Sequence, residues 1–166
     1  MRLLAIDPGP VESAYVLYDT TRRTPITFAK GSNYNMREVL LSRHLAEDLV
    51  VIEMIASYGM AVGAEVFETC VWIGRFIEAT DSPRRRIFRR DVKLHLCGSA
   101  RAKDSNIRQA LIDRYGPGKD AAIGRKASPG VLYGIKADVW AALAVAVTAA
   151  DTLLSVPDQT DAEVPA

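Results

Sequence analysis

Three acidic residues stand where a chain can present them to one ligand. Asp7 ends the apolar run Leu3-Leu4-Ala5-Ile6 and is followed at once by the turn Pro8-Gly9-Pro10. Glu53 ends a second apolar run, Leu49-Val50-Val51-Ile52, and Asp138 opens the apolar stretch that begins Val139-Trp140-Ala141. Taken singly, each is ordinary. Asp-Pro-Gly is a turn signal, a strand often ends in a solvated acid, and an Asp at a helix start favours the helix dipole. Taken together, they place three carboxylates at the ends of three buried elements. Oxygen-only donors of this kind suit a hard cation, Mg²⁺ or Mn²⁺, rather than zinc. A hard cation held among carboxylates is equipment for phosphodiester hydrolysis.

The elements that must position these acids follow from the apolar pattern. Residues 2–7 read as a buried strand, 13–18 as a second and 25–29 as a third, an edge strand because it carries Pro25. The spacing of Val39, Leu40 and Leu45 predicts a helix over 36–46. Residues 49–53 read as a fourth strand, whose unbroken apolar run before Glu53 suits burial on both faces. A helix over 63–77 and a short strand over 86–88 follow. Residues 91–96 and 104–115 read as helices, the second capped by Asp104 or Ser105 and stopped by Gly116-Pro117-Gly118. Residues 119–134 read as loop, and a last helix runs from about 137 to 154. The strand-helix-strand order requires a parallel portion with right-handed crossovers. The expected fold is α/β: a mixed five-stranded sheet, three antiparallel strands then parallel ones, with helices on both faces. In such sheets ligands gather outside the carboxyl ends of the central strands, which is where Asp7 and Glu53 fall.

The 166 residues fit one domain, over 1–154, with an acidic, proline-bearing tail over 155–166 expected to be disordered. Net charge is only +1, but it is unevenly spread. Residues 81–126 hold thirteen basic residues against five acidic ones, and the rest of the chain holds eight against fifteen. A local basic lobe can bind a polyanion whatever the total charge. Arg84, Arg85, Arg86, Arg89, Arg90 and Lys93 crowd into ten positions, and Arg101 and Lys103 follow. These are the expected phosphate contacts. Tyr58, in the turn after Glu53, is a candidate to stack on an unpaired base. The two cysteines, Cys70 and Cys97, lack metal-ligand spacing and fit a reducing compartment. The start runs straight into a strand, leaving no signal peptide, and 139–147 is too short to cross a bilayer, so a cytoplasmic protein is expected.

Four segments, in order, carry a family resemblance: Leu4-Ala5-Ile6-Asp7-Pro8-Gly9; Val51-Ile52-Glu53; Val92-Lys93 with Gly98-Ser99-Ala100-Arg101-Ala102-Lys103; and Asp138-Val139-Trp140-Ala141-Ala142-Leu143-Ala144-Val145-Ala146. The chain resembles the RuvC family of Holliday-junction resolvases, in particular the divergent forms of phages and mobile elements. The resemblance implies a ribonuclease-H-like fold in a bacterial cell, a homodimer, two Mg²⁺ ions per active site and paired nicks across a four-way DNA junction. Three of the family's four acids map to Asp7, Glu53 and Asp138. The fourth position is Ala141, which leaves Glu65, Glu68 or Asp104 as possible substitutes. The family's two functional lysines map to Lys93 and Lys103, and Lys103 is expected to neutralise the scissile phosphate. One ion is expected between Asp7 and Asp138, the other between Asp7 and Glu53. Other classes compete. Ala141 would suit a protein that binds junctions without cutting them. The same fold also serves nucleases acting on RNA or other branched DNA. A sugar-kinase-like ATPase shares the first Asp-x-Gly turn, but the chain is too short for its second lobe.

Overall fold

The computed structural model of the chain describes residues 1–56, 59 and 61–153. Five strands make the main sheet: β1 (Arg2–Asp7), β2 (Glu12–Asp19), β3 (Thr24–Ser32), β4 (Leu49–Met54) and β5 (Arg84–Phe88). Their spatial order is β3-β2-β1-β4-β5, antiparallel from β3 to β1 and parallel from β1 to β5. The helices are α1 (Asn33–Ser42), α2 (Ala64–Glu78), α3 (Arg89–Cys97), α4 (Asp104–Tyr115), α5 (Lys119–Ala122) and α6 (Val139–Leu153). A two-residue ladder, β6 (Gly124–Arg125) with β7 (Ser128–Pro129), sits between α5 and α6. The mixed five-stranded sheet expected from the apolar pattern is therefore present. The expected tail over 155–166 lies outside the described residues.

Strand parity assigns two separate cores. Leu3, Ala5, Ala14, Val16 and Val51 face α6, whose buried Ala142, Ala146, Ala149 and Ala150 let the helix settle close to the sheet. Leu4, Ile6, Leu17, Val50 and Ile52 face the other way, against Met36 and Leu40 of α1 and Trp72 and Phe76 of α2. Burying each large apolar side chain contributes about 1.5–3 kcal/mol, and a one-residue slip would turn every one of them to the wrong face. That parity fixes the acids too. Asp7 and Glu53 continue the odd-numbered row of β1 and β4, so both fall on the α6 face, one step past the paired Ile6 and Ile52.

Several elements differ from expectation for local reasons. Helix α1 is shorter because Arg43 (φ 49°) and Ala46 (φ 49°) adopt left-handed backbone. Lys103, not Asp104 or Ser105, is the N-cap residue of α4, and Asn106 Oδ1 accepts its backbone N–H at 2.9 Å. Residues 119–134 are not all loop, since they include α5 and the small ladder. Strand β5 begins two residues earlier than expected, and this splits the basic cluster. Arg84 and Arg86 pair with Val50 and Ile52 and turn toward the α2 face, while Arg85 pairs with Val51 and is half-buried on the α6 side. Six cations expected to form one patch are thus divided across a sheet edge by the alternation of a strand. Among the described residues no helix is long and apolar enough to cross a membrane, and both cysteines are free thiols.

Candidate active site

The carboxyl ends of β1 and β4 open into a hollow lined by Asp7, Glu53, Arg89, Asp104, Ile107, Ala137, Asp138, Trp140 and Ala141. All three acids singled out in the sequence therefore reach one cavity. They do so at different depths. Glu53 forms the floor, with its side chain 8% exposed, and Asp7 is half-buried beside it. Asp138 and Asp104 stand at the rim, 55% and 78% exposed.

Each acid is placed by its own local structure. The turn after Asp7 is pinned by buried polar groups: Asn33 Nδ2 donates to the Gly9 carbonyl at 2.9 Å, and Ser13 Oγ donates to Asn33 Oδ1 at 2.6 Å. A side chain at Gly9 would strike the Glu12 carbonyl oxygen, so the tight turn requires glycine there. Glu53 is held by its pairing with Ile87 of β5, one step past the last β1–β4 pair, Ile6 with Ile52. Asp138 follows Ala137, a non-glycine residue in left-handed backbone (φ 48°), and its carbonyl accepts from Ala141 and Ala142 as α6 begins. Strain of that kind, about 1–3 kcal/mol, persists where the surroundings dictate a side chain's position.

The cluster's electrostatics are severe. Asp7 and Glu53 are hydrogen-bond partners, which requires a proton between two carboxyls. Burial, then that hydrogen bond and the charge of Glu53, push the Asp7 carboxyl up from 3.8 to about 9; Arg89 opposes the rise and Asp138 adds to it. Two protein cations partly neutralise the group. Arg89 Nη1 lies 3.1 Å and 3.3 Å from the two Glu53 oxygens, and its Nη2 lies 2.5 Å from Asp104 Oδ1. Burial works against its charge, but Glu53 and Asp104 outweigh burial and hold the guanidinium above its usual range. Lys30 Nζ lies 2.8 Å from Asp138 Oδ2 and 3.1 Å from Glu12 Oε2, and these bonds raise its ammonium.

The other expected site residues are scattered. Arg89 is half-buried, lines the acid cavity and is paired there with Glu53 and Asp104. Lys103 is exposed at the head of α4, adjacent to Asp104, and is not among the cavity's lining residues. Arg90 and Arg101 are exposed and Lys93 is half-buried. Tyr58 lies outside the described residues. Of the possible substitutes for the missing acid at Ala141, Asp104 lines the cavity, whereas Glu65 and Glu68 are exposed on α2, across the sheet. Among the described residues no group of three Asp, Glu, His or Cys closes to ligand spacing. The acids are gathered, but Lys30 draws Asp138 aside and Arg89 stands against Glu53. Lys30 and Asn33 were missed in the sequence. Lys30 pairs across the sheet with Ala14, which pairs with Asp7, so it joins the site only through register. His95, in the basic segment, bonds Asp151 Oδ2 at 2.8 Å.

The sheet order, the helices on its two faces and the acid-bearing strand ends define a ribonuclease-H-like fold. Comparison with solved structures makes the likeness specific. The chain is similar to the Thermus thermophilus RuvC structure, with a TM-score of 0.66 and 15% identity over 93% of this chain and 96% of that one. It is also similar to T. thermophilus RuvC in complex with Holliday junction substrate, with a TM-score of 0.62 and 15% identity over the same shares. No family model matches the sequence, and no curated protein does. The fold is thus RuvC-like.

Proposed function

We propose that this chain is a divalent-cation-dependent endonuclease that resolves four-way DNA junctions by paired nicks. The observation that carries the reading is the pairing of Asp7 with Glu53 at adjacent strand ends, with Asp138 on the same cavity, in a RuvC-like fold. The junction-bound relative supports branched DNA as the substrate.

The residues fit a hard cation, with Mg²⁺ or Mn²⁺ the choice for an all-oxygen donor set. The fit rests on the donor set: the carboxyls of Asp7, Glu53, Asp104 and Asp138 line one cavity, with no nitrogen or sulfur ligand among its lining acids. Asp7, Glu53 and Asp138 would hold two ions between them. A bound pair supplies an activated water and charge for the leaving oxygen. Overall, water adds to phosphorus and the bond to the 3′ oxygen breaks, leaving a 3′-hydroxyl and a 5′-phosphate. Asp104 stands where it can serve in place of the acid missing at Ala141. Lys103, Arg90, Arg101 and Lys93 are the cations best placed to touch phosphate along α3 and the head of α4; such contacts position DNA without reading sequence.

Paired nicks need two sites, so the active form is a homodimer. Helix α2 supports this with exposed Phe67 and Val71, 62% and 48% exposed and one helical turn apart. Ala141 favours one competing reading, a junction-binding protein without activity. A nicking assay on four-way junction, replication fork, plain duplex and RNA–DNA hybrid, with Mg²⁺ or EDTA, separates the readings. Symmetrical Mg²⁺-dependent cuts confined to the four-way form are expected. Junction binding without cuts supports the competing reading, and cuts in another substrate reassign the nuclease.

A further inference from the structure

Arg89 occupies an unusual place. It is the first residue of α3, where the helix dipole disfavours a cation. Among the described residues, two carboxylates, Glu53 and Asp104, form ion pairs with it. It also separates two hollows. One is the acid cavity described above. The other is lined by Pro8, Glu53, Met54, Ile55, Ala56 and Arg89, and its surface is mainly apolar. Glu53 and Arg89 belong to both. The ion pair is therefore the partition between a charged chamber and an apolar one.

We propose that Arg89 is a substrate-engaging gate residue: it caps Glu53 when no cation is bound and moves to a DNA phosphate when one is, joining the two hollows into one groove. This rests on the nuclease reading. Two cations compete for Glu53. Glu53 cannot serve a guanidinium and a divalent cation equally, because a second positive charge within a few ångströms repels the first. Once Glu53 is taken, the ion pair left to Arg89 among the described residues is with the exposed Asp104, a pair that water screens. A phosphate approaching the head of α3 offers the fork geometry that guanidinium matches best, together with a favourable helix dipole. With the partition gone, a strand can lie across both chambers, its phosphate over the acids and a neighbouring sugar or base against Pro8, Met54 and Ile55. The arrangement would also keep the acids quiet in protein without DNA.

The test uses Arg89→Gln and the gentler Arg89→Lys in the full chain, with folding checked by circular dichroism. Mn²⁺ binding is measured by calorimetry without DNA, and binding of a labelled four-way junction is measured in Ca²⁺ across a salt series. A gate gives opposite shifts. Arg89→Gln binds Mn²⁺ more tightly, by about tenfold, because the competitor for Glu53 is gone. It binds junction more weakly, and the slope of log affinity against log salt falls by about one, the signature of one lost phosphate contact. Arg89→Lys falls between. Weaker or unchanged Mn²⁺ binding in Arg89→Gln overturns the proposal, as does an unchanged salt slope. A native chain that binds neither Mn²⁺ nor junction overturns the nuclease reading beneath it.

Discussion

Asp7→Asn is expected to abolish nicking of a four-way junction, by on the order of a thousandfold or more, while junction binding is kept or tightened. Asp7 lines the cavity with Glu53 and Asp138 and feels the charge of both, so it would be among the residues that hold cations there. The amide keeps the shape but cannot take the charged form that binds cations, and it leaves the surfaces that meet DNA unchanged. The same substitution is expected to stabilise the cation-free protein. At neutral pH the native chain bears a carboxyl pushed to about 9 by burial and by Glu53. An amide there needs no proton, and its melting midpoint in EDTA should rise by on the order of 5 °C. Thermal melts in EDTA and nicking assays in Mg²⁺ on the same preparations check both halves. Loss of activity together with loss of stability would mean that Asp7 is merely structural.

The second large effect is a pH dependence. The Asp7 carboxyl is raised in the folded chain from 3.8 to about 9. Its contribution to stability is complete below about pH 4 and is lost as pH rises through the interval to about 9, because the folded state must then bear the charged form. The cation-free protein should therefore melt at progressively lower temperature across that interval. A cation reverses this, since it favours the charged form. Below pH 9 it must displace the Asp7 proton, so apparent affinity should rise by about tenfold per pH unit between pH 6 and 8 and level off near 9. Calorimetry in buffers of different ionisation enthalpy counts the released proton directly. A pH-independent affinity with no proton release would show that the cation binds elsewhere.

How much of this was legible in the sequence follows from the range of the interactions involved. The buried strands were readable because 3–6 and 49–52 are unbroken apolar runs ended by an acid, and both acids do reach one cavity. Asp138 was readable as a helix start. The partners of these acids were not. Glu53 meets Arg89 across 36 positions, and Lys30 meets Asp138 only after β1, β2 and β3 fall into register. The basic run at 84–90 looked like a surface patch, yet strand alternation sends Arg84 and Arg86 one way and Arg85 the other, while Arg89 starts a helix aimed at the acids. Composition shows that cations are present; only pairing shows which are already spent on carboxylates. The exposed Phe67 and Val71 were hidden for a similar reason. A helix over 63–77 was readable, but the face left uncovered depends on where α1 and the sheet lie.

Diffraction from crystals grown with Mn²⁺, recorded for its anomalous signal, tests the central claim most directly. The claim predicts a peak within about 2.5 Å of both Asp7 and Glu53 oxygens, with Arg89 moved off Glu53 and Asp138 turned inward from Lys30. Mn²⁺ bound only at other surfaces, with Arg89 still seated on Glu53 at saturating metal, would contradict it.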